Sequence, residues 1–208
     1  MPSSSIILIG FMGCGKSRIA RELRKHVPEY PILDMDRWIE KRENMSIPDM
    51  FETYGEVYFR DKETELLREL VYAHKSHKLA KETISAPDTT PNTTPNAAAC
   101  SVRDMESLNV TFPMIISTGG GVILREENRA LLRELGTVIW LQAKAETIQR
   151  RVRSNKNRPL LQQDQSIEKI QSMLEERKPY YTAAAHYICN NDAWEVTSTC
   201  KEILQHAQ

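Results

Sequence analysis

Eight residues behind a short apolar run constrain this chain more than anything else in it. Ile6-Ile7-Leu8-Ile9 leads directly into Gly10-Phe11-Met12-Gly13-Cys14-Gly15-Lys16-Ser17. A Gly-x4-Gly-Lys-Ser segment between a buried-strand signal and a helix reads as a phosphate-binding loop. Its glycines open backbone conformations closed to residues with a Cβ, so successive N–H groups can turn inward around an anion. The helix that starts near Lys16 directs its positive dipole end at the same point. Lys16 adds a charge for the β- and γ-phosphates, and the Ser17 hydroxyl is placed to ligate Mg2+. The chain is therefore expected to bind a nucleoside triphosphate.

A loop of this kind belongs between a strand and a helix of a parallel sheet, and the rest of the chain is patterned that way. Strands are expected at Ile6–Ile9, Pro31–Asp34, Met114–Ser117, Thr137–Leu141 and His186–Cys189. Helical patterning fills 16–27, 36–76 (interrupted near Ser46-Ile47-Pro48 and Gly55), 125–135, 144–154, 166–180 and a closing stretch from about 194. Strands alternating with helices predict an α/β fold with a parallel sheet and right-handed crossovers. One segment departs from this. Between about 77 and 112 the chain carries a tandem Thr-Thr-Pro-Asn (89–92 and 93–96) among polar residues, which supports neither helix nor packed strand. It is read as a flexible insertion in a single domain spanning 1–208, whose core covers about 5–75 and 114–207.

Composition narrows the partners. With 28 basic and 28 acidic residues there is no net field to draw nucleic acid or an anionic membrane. No signal peptide or membrane span is expected, since the first apolar run is short and ends in the phosphate loop. Cys14, Cys100, Cys189 and Cys200 make no paired metal spacing, and a reducing cytoplasm suits them. The five histidines are read as surface or core residues.

The acceptor must be sought at the carboxyl ends of the strands, where ligands of open α/β sheets gather. Asp34 and Asp36 follow the second strand, although either could simply cap the next helix. Arg60 and Glu63 stand one turn apart on a helix and can pair, a geometry that by itself could be no more than a surface ion pair. Gly119-Gly120-Gly121 follows the third strand. Arg158 opens Arg-Pro-Leu-Leu after a polar stretch, and Arg177 precedes Lys178-Pro179-Tyr180-Tyr181.

In this order the motifs resemble the shikimate kinase family. Gly-Phe-Met-Gly-x-Gly-Lys-Ser, Asp34-Met35-Asp36, Gly55-Glu56, Phe59-Arg60-x-x-Glu63, Gly119–Gly121 with Asn128-Arg129, Arg158-Pro159-Leu160-Leu161 and Glu176-Arg177-x-Pro179-x-Tyr181 all stand where that pattern has them. The likeness covers the chain apart from the insertion. It implies a three-layer α/β/α fold of the nucleoside monophosphate kinase type, with a five-stranded parallel sheet in the order 2-3-1-4-5. It further implies a monomeric enzyme that transfers the γ-phosphoryl of ATP to the 3-hydroxyl of shikimate, a step of aromatic amino acid biosynthesis.

Residue roles follow from the same resemblance. Gly13, Cys14, Gly15, Lys16, Ser17, Arg18, Arg151 and Arg158 would bind ATP, with Arg151 stacking on adenine and Arg158 carried by a lid over about 153–166. Asp36, Arg60, Glu63, Gly119, Gly120, Gly121 and Arg177 would bind shikimate. Asp36, Lys16 and Arg158 would be catalytic, and Ser17 and Asp34 would hold Mg2+ beside Ser117. Two arginines suit a carboxylate because guanidinium donates in a planar fork. A gluconate kinase, a nucleoside monophosphate kinase and a nucleotide-binding protein without turnover remain as alternatives.

Overall fold

Four consecutive apolar residues in the first strand can all be buried only if both faces of the sheet are covered. That is their situation in a computed structural model of the chain, which describes residues 4–84, 110–152, 166–192 and 195–207. Ile6 and Leu8 of β1 (Ser5–Ile9) turn to one core, and Ile7 and Ile9 turn to the other. The first core is closed by α1 (Lys16–His26), α5 (Ala145–Val152) and α7 (Val196–His206). The second is closed by α2 (Met35–Glu43), α3 (Ile47–Ile84) and α4 (Glu126–Leu135), while α6 (Ile167–Ala184) contributes to both.

The sheet also contains β2 (Ile32–Asp34), β3 (Ile115–Ser117), β4 (Gly136–Gln142) and β5 (Tyr187–Asn190). All four pairings are parallel and the order is β2-β3-β1-β4-β5, as the resemblance implied. The order reverses at β1, so the phosphate loop that follows Ile9 opens at the crevice where such sheets bind their ligands. Gly136 begins β4 directly against β1, where a Cβ would press on the Ser5 backbone, 2.9 Å from its carbonyl carbon. A main chain cannot rotate away as a side chain can. Gly136→Ala is expected to cost about 1–3 kcal/mol of stability, read as a lower denaturant midpoint.

The breaks in the long second helical stretch fall where the sequence indicated. Asn44 ends α2 in the left-handed conformation (φ 49°). Ser46 then starts α3, its Oγ accepting from Asp49 N at 3.3 Å. At Gly55 the helix takes φ 82° and ψ 169°, a conformation open essentially to glycine alone. The far end differs from expectation. The sequence places the start of the insertion at about 77, but α3 continues to Ile84. Lys78, Leu79 and Ala80 are good helix formers, and the stretch before Pro87 holds no proline to stop them. At the other end, Phe112 is buried against the His74 and His77 rings, at centroid distances of 5.0 and 6.0 Å. Residues 85–109, the bulk of the insertion, lie outside the described residues.

Candidate active site

Three neighbouring strand ends assemble the phosphate side. Ser117 lies in register with both Asp34 and Leu8, so the ends of β2, β3 and β1 sit side by side. Ser17 Oγ donates to Asp34 Oδ2 at 2.9 Å and lies 3.4 Å from Ser117 Oγ. Asp34 is also the cap of α2, its Oδ1 accepting from Arg37 N at 3.4 Å. Capping thus uses one carboxylate oxygen and leaves the other facing Ser17. Hard oxygen donors of this kind fit Mg2+. Among the described residues there is no cluster of three or more His, Cys, Asp and Glu side chains suited to a metal.

Lys16 is nearly buried and its Nζ donates to the carbonyls of Gly10 at 2.7 Å and Phe11 at 3.2 Å, folding over its own loop. Cys14 is a buried side chain within that loop. Behind the loop, the Cys14 carbonyl accepts from Arg151 Nη1 at 3.1 Å and from Asn191 Nδ2 at 2.7 Å. Arg151 Nη2 in turn donates to the Asn191 carbonyl at 2.7 Å. Burial lowers the Arg151 pKa to about 10, with the charges of Arg150 and Arg18 adding to the fall. Arg18, on the first turn of α1, also lines a hollow of about 570 Å3 with Glu195 to Ser198 at the start of α7 and Lys201 farther along it. Asn191 belongs to none of the sequence motifs. The only available signal was a polar residue just past the carboxyl end of a strand.

The acceptor side is built around the triple glycine, which admits close approach from three directions. A Cβ on Gly119 would meet Glu63 Oε1 of α3 and Asp36 Oδ1 of α2. One on Gly120 would lie 3.0 Å from the Met12 amide nitrogen, and one on Gly121 would lie on the Arg60 guanidinium. Arg60 Nη1 donates to Glu63 Oε2 at 2.6 Å, while Nη2 and Nε share Glu56 Oε1 at 2.8 and 3.1 Å. From α6, Tyr181 Oη donates to the Gly120 carbonyl at 2.6 Å, and the Arg177 guanidinium lies over the Phe11 ring, 5.5 Å from its centroid. Asp36, Arg60, Glu63, Gly119, Gly120, Gly121 and Arg177 therefore converge beside the loop that carries Lys16.

Arg177 is 6% exposed, yet its Nη1 has no hydrogen-bond partner among the described residues. Buried cationic donors are normally satisfied, so this one is available to an anion. Glu63 is wholly buried. Burial pushes its pKa up to about 7 against the pull of Arg60, and the Asp36 charge adds to the rise. Burial opposes the charge of Arg60, but Glu63 and Glu56 outweigh it and its pKa rises.

A pH dependence follows. Between about pH 4.5 and 7 the folded chain keeps a proton on Glu63 that the unfolded chain has lost, so this group's contribution to stability falls as pH rises across that window. Glu63→Gln should have a shallower decline in Tm than the parent over the same interval. Parallel curves would rule out the shift.

The chain as a whole finds its counterpart in known proteins. The family model described as shikimate kinase matches residues 12–79 and 102–208. The chain belongs to the shikimate kinase family. A shikimate kinase from Burkholderia pseudomallei (strain 1710b) is 31% identical over 207 residues, covering 100% of this chain and 91% of that protein. One from Paracidovorax citrulli is 35% identical over 187 residues, covering 90% and 82%. The solved shikimate kinase from Acinetobacter baumannii, in complex with shikimate, superposes with a TM-score of 0.75 at 29% identity, covering 99% of this chain and 92% of that one. That from Aquifex aeolicus gives 0.67 at 28% identity, covering 97% and 94%.

The shikimate kinase match passes over residues 80–101, which include both Thr-Thr-Pro-Asn copies. Of the family's site motifs, Arg158 and the 153–165 part of the lid lie outside the described residues; Ser166, at the lid's far end, caps α6. Tyr181, the last residue of the family's Glu-Arg-x-Pro-x-Tyr pattern, carried no assigned role from sequence. Its hydroxyl ties α6, and with it Arg177, to the glycine floor.

Proposed function

We propose that the chain transfers the γ-phosphoryl of ATP to the 3-hydroxyl of shikimate, giving shikimate 3-phosphate and ADP on the way to the aromatic amino acids. One observation carries this reading. Two buried guanidiniums, one with a donor unsatisfied among the described residues, flank an aspartate beside a phosphate loop. A small acid bearing a hydroxyl satisfies every member of that set. Its carboxylate is held by Arg60 and Arg177, and its ring rests on Gly119–Gly121.

Phosphoryl transfer is chiefly positioning and charge stabilisation about a loose transition state. Asp36 orients the attacking hydroxyl and takes its proton late, because such a transition state makes little demand on an early base. Lys16 leaves its loop carbonyls for the β- and γ-phosphates. Ser17 and Asp34, with Ser117 adjacent, would hold Mg2+, which neutralises charge on the phosphate oxygens when bound. Gly13, Cys14 and Gly15 present backbone N–H groups to the phosphates, while Arg18 and Arg151 border the adenine end. Arg158 is assigned from its motif to close over the transferred group.

A coupled assay of ADP release with shikimate, gluconate, AMP and CMP as acceptors tests the assignment. Turnover is expected with shikimate alone. Equal or greater turnover with any of the others would reassign the acceptor, and ATP binding without turnover would make the chain a nucleotide-binding protein.

A further inference from the structure

An arginine has five N–H donors, and Arg60 spends three of them on two glutamates of its own helix. The two partners are unlike. Glu63 is wholly buried and faces the acceptor pocket. Glu56 has 43% of its side chain exposed and holds Arg60 through a single oxygen, Oε1, spread across Nε and Nη2. It also follows directly on Gly55, where α3 breaks and where, among the described residues, no atom beyond the adjoining chain lies within 4 Å of the position of a Cβ. Glu56 can therefore swing into water at little cost, whereas Glu63 cannot.

Charge makes that freedom matter. Among the described residues, the carboxyl groups facing this site are Asp36 and Glu63 at Gly119 and Glu56 at Arg60. The facing cations are Arg60 and Arg177, with Arg125 acting on Glu63 from farther out. An incoming acid thus approaches a guanidinium already neutralised by resident carboxylates. We propose that Glu56 is a displaceable counter-ion, occupying the outer edge of Arg60 until the acceptor's carboxylate replaces it, and so setting acceptor affinity and selectivity for acids. The proposal rests on the reading that Arg60 and Arg177 hold that carboxylate.

Exchange of one carboxylate for another keeps the nearly buried guanidinium paired in both states, where a bare one would be costly. It also discriminates. A neutral polyol of similar shape cannot displace Glu56, so the ion pair stands against it. The cost falls on affinity, since the acid must compete with a glutamate tethered one helical turn away.

Titration calorimetry with shikimate, together with steady-state kinetics, on the parent, Glu56→Gln and Glu56→Ala tests this. Glutamine preserves length and an amide oxygen for Arg60 and removes only the charge. In both variants the Kd for shikimate should fall about threefold or more, the scale of a partly exposed ion pair, while the KM for ATP stays within twofold. Weaker or unchanged shikimate binding in Glu56→Gln would overturn the proposal and make Glu56 a brace for Arg60. Thermal unfolding checks that each variant is folded. If the parent neither binds nor phosphorylates shikimate, the acceptor assignment itself is wrong. If the parent does both and the variants match it, only the role of Glu56 fails.

Discussion

Asp36→Asn is expected to lower kcat for shikimate phosphorylation by about 100-fold or more, with a much smaller change in the KM for ATP. The residue sits in the first turn of α2, and its Oδ1 faces Gly119 opposite the buried Glu63. Asparagine has the same shape and leaves the helix start undisturbed, so the substitution isolates charge. What is lost is a full acceptor for the attacking hydroxyl's proton and the negative field that aligns the hydroxyl. Both losses belong to the transition state more than to the ground state, which places the effect in kcat. Turnover within about threefold of the parent at saturating shikimate would remove Asp36 from the reaction.

Arg60→Ala should act on two levels at once. As a ligand, Arg60 supplies part of the fork for the acceptor's carboxylate, and its loss is expected to raise the KM for shikimate by about 100-fold, the scale of a charge-assisted bidentate contact. As a structural group it is the partner of Glu63 Oε2, and truncation leaves a fully buried carboxyl with no cation at 2.6 Å. Removing one member of a buried pair costs about 3–5 kcal/mol when the other stays charged. Glu63 already has a pKa near 7, so in the variant it will be neutral at neutral pH, and the measured loss should fall below that range. Arg60→Lys separates the two effects. It restores a positive charge near Glu63 without the planar fork, so stability should recover more than acceptor affinity. Full recovery of both would show that charge alone is what the site requires.

The donor half of the site was readable because its residues are local. Gly10 to Ser17 is one short loop, and the chemistry of phosphate binding is written in its glycines and in the lysine and serine that follow. Strand order also followed from the family likeness, and the two-sided burial of β1 explains why Ile6–Ile9 carries no polar residue. The extent of α3 was less legible. The composition of 77–84 is helical, but its nearness to the Thr-Thr-Pro-Asn repeats obscured that, and the helix runs on to Ile84.

Sequence also placed Arg60 with Glu63, since three residues on a helix are one turn. It could not say that the pair is buried. An exposed pair at that spacing contributes a few tenths of a kcal/mol and binds nothing. The burial comes from Gly121, which lies more than fifty residues away and lets the guanidinium pack against bare backbone. Asp34 shows the reverse case: it caps α2 through Oδ1 and still turns Oδ2 to Ser17, because a carboxylate has two oxygens.

By itself, then, the sequence determined the elements, the phosphate loop and the identity of the polar groups, because periodicity, glycine conformation and motif order are properties of neighbours along the chain. Tertiary structure alone decided which of those groups are desolvated and what each one faces. Burial weakened Glu63 as an acid, left Arg177 Nη1 without a hydrogen-bond partner among the described residues and set Asn191 behind the phosphate loop. Those are consequences of dielectric and contact, and both depend on segments that the chain brings together from far apart.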